Sequence, residues 1–292
     1  MRIGALALVL IVGCGDAATT SGAGGGGASS STSDGGASSS TGTASASGGG
    51  VTGSGGAGGS GDGSKCGSSS FAICESFEDA PVDGFPTGWG PRGDEWGDGT
   101  IGVSDQDAKR GAKSLLVHGG ATGQRFMVFK GDLGALASHH YGRVFLKVEI
   151  PAPWPTSGVL HGDFIEGLGP GPNGSTHNVR WGVVENTEQK FQWIYNVQPS
   201  NAPEFAEGTG YDYSWTGAWQ CVEWMYDEPS QKGTLWIDGV ELPLVPGTSH
   251  AAEIPVFSSL GVGFANYQDA GAGFVVRFDE LAYDAERIGC EN

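Results

Sequence analysis

His161, Arg180 and the adjacent pair Tyr267-Gln268 are the residue types in this chain that could together move a proton beside a bound carboxylate. Cleavage of a uronic-acid polymer by β-elimination needs three functions. A cation or amide neutralises the uronate carboxylate and acidifies the proton on the neighbouring carbon, a base takes that proton, and an acid protonates the leaving oxygen. Arg180 supplies the cation, because a guanidinium grips a carboxylate through two parallel N–H donors. His161 or Tyr267 serves as base and the other as acid. Lys147 is a further cation, and Trp193 and Glu166 are candidate sugar contacts. Plainer assignments compete with these. Arg180 would pair with one of the many carboxylates, His161 would be a hydrogen-bonded strand end, and Tyr267 a packed loop tyrosine.

The elements that must position these groups read as strands. No ten-residue stretch carries a 3.6-residue apolar period free of Gly or Pro, whereas short alternating runs recur between turn clusters. Candidate strands cover 72–77, 114–118, 124–129, 141–150, 159–165, 178–184, 191–197, 219–227, 233–237, 260–265 and 274–283. About eleven strands with long loops imply an all-β fold, a two-sheet antiparallel sandwich or jelly roll. Asp238-Gly239 between Leu235-Trp236-Ile237 and Val240-Glu241-Leu242 is a two-residue hairpin signal. Phe191, Trp193 and Tyr195 alternate on one strand face, as sandwich core or as a sugar-stacking platform. His139-His140 would point to opposite faces of a strand, so joint metal binding is not expected.

The N-terminus has a different character. Arg2 precedes an apolar run from Ile3 to Val12, too short for a permanent span and suited to a signal-peptide core. The run ends in Ile11-Val12-Gly13-Cys14, which resembles the bacterial lipobox. That resemblance implies cleavage after residue 13, acylation of Cys14 and an exported lipoprotein anchored to the cell envelope, with the outer membrane expected. Residues 15–64 are almost wholly Gly, Ser, Ala and Thr and cannot bury enough surface to offset their ordering entropy. A coil of that length spans on the order of 40 Å. One domain, 66–292, remains.

The chain carries 33 acidic and 15 basic residues. Asp16, Asp34, Asp62, Arg2 and Lys65 precede the domain, which leaves it 30 acids, 13 bases and a net charge of −17. Nucleic acid is excluded as a partner, since phosphate binding needs the opposite sign. The same charge disfavours a polyanionic substrate unless Lys147, Arg180 and Arg143 reverse the field locally. Cys14 is the odd one of five cysteines. The even set Cys66, Cys74, Cys221 and Cys290 permits three disulfide pairings, of which Cys66–Cys74 and Cys221–Cys290 are favoured. No Cys or His spacing supports zinc, and no fingerprint for an organic cofactor occurs.

Phe77-Glu78-Asp79, Gly84-Phe85-Pro86, Trp89, the run from Gly111 to Val117, Trp219-Gln220-Cys221-Val222-Glu223-Trp224, Leu235 to Glu241, Phe278-Asp279-Glu280-Leu281 and Arg287-Ile288-Gly289-Cys290 follow one another in a familiar order. Over residues 70–290 this resembles the concanavalin A-like jelly rolls, in the branch of the fungal cellulose-induced secreted protein and glucuronan lyase. The resemblance implies a polysaccharide partner and lyase activity or plain carbohydrate binding; a monomer is expected. A structural or adhesive envelope role is the alternative from another class. It also implies a structural calcium where the first and last strands meet, with Glu78 and Asp279 as ligands and carbonyls near Lys113 completing the set. The competing assignment is two carboxylates capping loop amides. His161-Gly162-Asp163-Phe164-Ile165-Glu166 resembles the Glu-x-Asp-x-x-Glu strand of retaining glucanases on this fold, but His161 stands where the nucleophilic carboxylate must be. That departure argues against a retaining hydrolase.

Overall fold

The computed structural model describes residues 66, 70–171, 174–199, 204–244 and 254–290. The run that resembles a lipobox, Cys14 and the Gly/Ser tract lie outside them. The described residues form fourteen strands: β1 (Ile73–Glu75), β2 (Trp89–Pro91), β3 (Trp96–Ser104), β4 (Ser114–Phe129), β5 (His139–Val148), β6 (Val159–Pro170), β7 (Thr176–Asn186), β8 (Phe191–Pro199), β9 (Phe205–Gly208), β10 (Gln220–Asp227), β11 (Lys232–Ile237), β12 (Val240–Glu241), β13 (Ser259–Asn266) and β14 (Val275–Asp284). Pairing is antiparallel in the order β12-β11-β10-β5-β14-β4-β13-β6-β7-β8-β9. This curled sheet is a β-sandwich of the jelly-roll kind.

One long strand makes the curl. β4 pairs with β14 through Leu115–His118 and with β13 through Gly123–Val128. Its two ends therefore belong to different layers, and the sequence-predicted strands 114–118 and 124–129 are one element. β3 lines its other edge. The Trp-Gly-Asp-Gly-Thr start of β3 reads as a turn cluster, which hid this mostly exposed strand from the alternation test.

The core lies between the layers. Val179, Trp181 and Val183 of β7 and Trp193, Tyr195 and Val197 of β8 meet Val222, Trp224 and Tyr226 of β10 in one apolar cluster. Trp181 stacks on Tyr226 at 6.1 Å between ring centroids, joining strands far apart in the sheet order. Fully burying each large apolar side chain contributes about 1.5–3 kcal/mol, so the aromatics are strong drivers of closure. Trp193 has no exposed surface, which corrects its assignment as a sugar contact: the alternating aromatics of β8 face the core.

Glu185 shares that buried face at the end of β7. It is fully buried and accepts a 2.6 Å hydrogen bond from Trp215 Nε1, while Trp215 stacks on Phe191 at 4.0 Å. Burial pushes the Glu185 carboxyl up to about 8, against the opposing pull of the Trp215 bond.

The disulfides are Cys66–Cys74 and Cys221–Cys290, the favoured pairing. The Asp238-Gly239 turn joins β11 to β12 with both residues at positive φ, 50° and 82°, as a two-residue hairpin requires. His139 and His140 do diverge. His139 meets Asp227 at 3.0 Å, whereas His140 is buried on the Leu136 carbonyl and burial lowers its pKa to about 4.

Candidate functional site

The chemistry-bearing residues of β6 share a face because of one extra residue. Asp163 pairs with Gly182 and Ile165 with Trp181, so Phe164 is bulged. His161 and Asp163 share a face through the two-residue period of a strand. Without the bulge Glu166 would point into the core. With it, Phe164 and Ile165 both enter the core, and Glu166 joins Asp163 and His161 on the opposite face.

Directly paired residues share a face, so registers extend this set across the sheet. One row runs Trp96, Gln124, Ala265, Asp163, Gly182, Ile194 across β3, β4, β13, β6, β7 and β8. Another runs Val128, Gly261, Glu166, Arg180, Asn196. Small residues leave room for the long ones. A Cβ on Gly182 would lie 2.4 Å from Asp163 Oδ1, so only glycine admits that carboxylate.

Arg180 is the centre of the cluster. It is only 3% exposed. Nη1 donates to Asp163 Oδ2 at 2.9 Å and to the Tyr267 hydroxyl oxygen. Nη2 donates to Asn196 Oδ1 at 2.8 Å, Gln198 Oε1 at 3.0 Å and Glu204 Oε1 at 2.7 Å. Among its nitrogens only Nε lacks a partner. Burial alone would lower the guanidinium pKa, but Asp163, Tyr267 and Glu204 more than reverse this and hold it charged. The Tyr267 hydroxyl donates to Asp163 Oδ2 at 2.9 Å, and burial followed by the Asp163 charge pushes its pKa up. Tyr267 is thus a protonated phenol.

His161 joins through both backbone and charge. Its amide donates to Gln268 Oε1 at 2.6 Å, and its carbonyl accepts the Tyr267 amide at 3.2 Å. Burial lowers the His161 pKa, with Asp163 and Glu204 opposing, so the ring is biased toward its neutral form. Glu166 is 2% exposed and accepts a 2.5 Å bond from Arg92 Nη1, while Arg92 Nε meets Asp94 at 2.7 Å. Burial pushes Glu166 up to about 7 even with Arg92 and Arg180 pulling it down.

The structure therefore brings together His161, Arg180, Tyr267, Gln268 and Glu166. It excludes Lys147, which lies on β5 in the other layer and pairs with Asp107 at 2.5 Å. Arg143 is likewise buried beside Glu280. Arg92, Trp96, Asp163, Asn196 and Glu204 were not legible as members. The period-2 rule could have placed Asp163 with His161, whereas the others depend on cross-strand register and loop return.

The metal assignment does not fit. Glu78 Oε1 accepts the amides of Ala112 and Lys113 at 3.0 and 2.9 Å. Asp279 Oδ2 accepts those of Lys109 and Arg110 at 2.7 and 2.9 Å, and Oδ1 that of Glu280 at 2.7 Å. The Lys113 ammonium lies 2.8 Å from both the Glu78 and Ala80 carbonyls. Calcium needs six to eight oxygens with lone pairs to give. Here those lone pairs face N–H donors and an ammonium, and no cluster of three metal-ligating side chains occurs among the described residues. Glu78 and Asp279 are loop-capping carboxylates, and no calcium site is derived from them.

A cleft of about 810 Å³ lies elsewhere, at the open edge of the sandwich between Tyr195, Phe205, Lys232 and Leu244.

No family model and no curated protein matches the chain. Among solved structures, it is similar to one described as cellulose induced protein, Cip1, with a TM-score of 0.51 and 19% identity over 75% of this chain and 100% of that one. A Trypanosoma rangeli sialidase complex with 2,3-difluorosialic acid matches at TM-score 0.40 and 15% identity, over 65% of this chain and 28% of the sialidase. The binding domain of botulinum neurotoxin serotype D matches at TM-score 0.39 and 10% identity, over 66% and 44%. The first likeness is one of fold, and the other two overlap too loosely to add to it.

Proposed function

We propose that the domain is a polysaccharide-binding jelly roll, carried on the cell envelope by a lipid at Cys14 and the Gly/Ser/Ala/Thr tract that follows it. The observation that carries this is the face away from the core. It carries an exposed aromatic, Trp96, packed on Tyr267 at the rim of a buried polar cluster locked around Arg180. Convergent, rigid polar groups beside an aromatic surface suit a sugar, whose hydroxyls need fixed partners and whose C–H faces need an apolar one. The sequence alone supports the anchor, and a reach on the order of 40 Å suits an extended polymer. Affinity electrophoresis of the domain in gels cast with soluble polysaccharides tests the reading. Retardation in at least one gel is expected, and unchanged mobility in all of them refutes it.

Lyase activity is the second reading, favoured by the convergence of His161, Tyr267 and Arg180. The pKa directions favour neutral His161 as base and protonated Tyr267 as acid. In the reaction the base takes the proton beside the uronate, the neighbouring C–O bond breaks as a C=C bond forms, and the acid protonates the departing oxygen. Against it, Arg180 would have to exchange protein partners for the substrate carboxylate. Incubation with glucuronan, alginate and pectin would raise ultraviolet absorbance through unsaturated products, and a flat trace on all three sinks this reading.

A further inference from the structure

We propose that Trp96 is the platform on which the glycan stacks, and that this glycan is uncharged, built of pyranoses whose hydroxyls are mostly equatorial. The inference rests on the polysaccharide-binding reading above and adds a contact residue and a substrate class to it.

The chain has nine tryptophans, and Trp96, at 38% exposed, is the most open of them. Six of the others, Trp89, Trp154, Trp181, Trp193, Trp215 and Trp224, belong to the apolar core or pack against it. This exposure is not slackness. Arg125 Nε donates to the Gly99 carbonyl at 2.9 Å, and its two terminal nitrogens donate to Trp96, Gln124 and Gly97 carbonyls at 2.9, 2.7 and 2.8 Å. One guanidinium thus ties the carbonyls of Trp96 and of the two glycines after it to the Gln124 carbonyl of the neighbouring strand. Gly97 holds φ at 66°, and a Cβ there would lie 2.4 Å from the Thr122 carbonyl oxygen, so the bend after Trp96 requires glycine. The indole also lies against Tyr267, with ring centroids 5.9 Å apart and planes tilted by 38°. Backbone and side chain are both held while the ring stays open, which is the preorganisation a stacking surface needs. Register puts Trp96 in the same row and on the same face as Asp163. A sugar on the indole would therefore sit at the rim of the Arg180 cluster.

Charge selects the sugar. Asp94, Glu95 and Asp98 flank Trp96 in the chain. The cations nearby are committed: Arg92 to Asp94 and Glu166, Arg125 to backbone carbonyls, Arg180 to Asp163 and Glu204, and Lys130 Nζ to the Pro91 carbonyl at 2.6 Å. A uronan would bring carboxylates to an acidic rim where each nearby cation already has a protein oxygen as partner. An uncharged pyranose chain with equatorial hydroxyls presents axial C–H faces, whose weakly positive hydrogens match the negative face of an indole.

Wild type, Trp96→Ala and Trp96→Tyr would be compared by affinity electrophoresis on a soluble β-1,4-glucan, xylan, glucuronan, alginate and chitosan, with melting temperatures recorded for each. We expect wild type to be retarded by the glucan or the xylan and to bind the uronans at least tenfold more weakly. We expect Trp96→Ala to lose at least tenfold in affinity at an unchanged melting temperature, and Trp96→Tyr to retain part of it. Tighter binding to a uronan or to chitosan overturns the substrate class. Equal binding by wild type and Trp96→Ala overturns the platform and leaves polysaccharide binding standing. No binding by wild type to any of the five overturns both.

Discussion

Replacing Glu185 by Gln isolates the cost of one buried carboxyl as a function of pH. Glu185 has no exposed surface and, among the described residues, one hydrogen bond from Trp215 and no cation partner, and its pKa is pushed from 4.5 to about 8. The folded chain then binds a proton that the unfolded chain has released between those two values. Stability from this group is fully present below about 4.5 and is lost as pH rises to about 8. At about 1.36 kcal/mol per pKa unit, the loss approaches about 5 kcal/mol above pH 8, a ceiling that local relaxation lowers. Glutamine keeps the shape and cannot ionise. At pH 5 the Glu185→Gln variant should match wild type within about 1 kcal/mol, the scale of one neutral hydrogen bond. At pH 9 it should be the more stable protein by up to about 5 kcal/mol, a melting difference of about 10–20 °C for a domain of this size. Urea and thermal unfolding of both proteins at pH 5, 7 and 9 read this directly. Other titrating groups cancel in the difference as long as they do not contact Glu185. A difference that stays constant from pH 5 to 9 would refute the argument, because it would mean that the carboxyl ionises as it does in water.

Three further outcomes follow from the same geometry. Arg180→Met leaves Asp163 and Glu204 without their cation, and losing one partner of a buried ion pair costs about 3–5 kcal/mol; a fall in the urea midpoint checks this, and an unchanged midpoint contradicts the network. Chelator and millimolar calcium should leave the wild-type melting temperature unmoved, whereas Lys113→Met should lower it, since two carbonyls lose their donor at about 1–3 kcal/mol each. Removing Cys221–Cys290, which spans 69 residues, should cost about 4 kcal/mol against about 2.5 kcal/mol for Cys66–Cys74, which spans 8; paired Cys→Ala unfolding curves compare the two.

The division between sequence and structure follows from the range of each interaction. Local patterning was sufficient for the all-β class, because alternation along 178–184, 191–197 and 219–227 marks one buried face wherever the strand later packs. The Asp238-Gly239 turn was legible for the same reason, its demand for positive φ being local. The even cysteine set was also legible once Cys14 was set apart. Register and layer were not. Whether the aromatics of β8 face core or solvent depends on what covers them, and Trp193 is covered. Whether Glu166 shares a face with His161 depends on one bulged residue, Phe164, which leaves no mark in composition. Arg180 reads from the sequence as a candidate cation, and only the folded sheet brings Glu204, Asn196 and Asp163 to it and fills its terminal nitrogens. Glu78 and Asp279 read from the sequence as paired ligands, and only tertiary structure put amides and an ammonium against them. The chain's own order determined which side chains could act. Long-range pairing, which sets distance and partner together, decided which of them are free to meet another molecule.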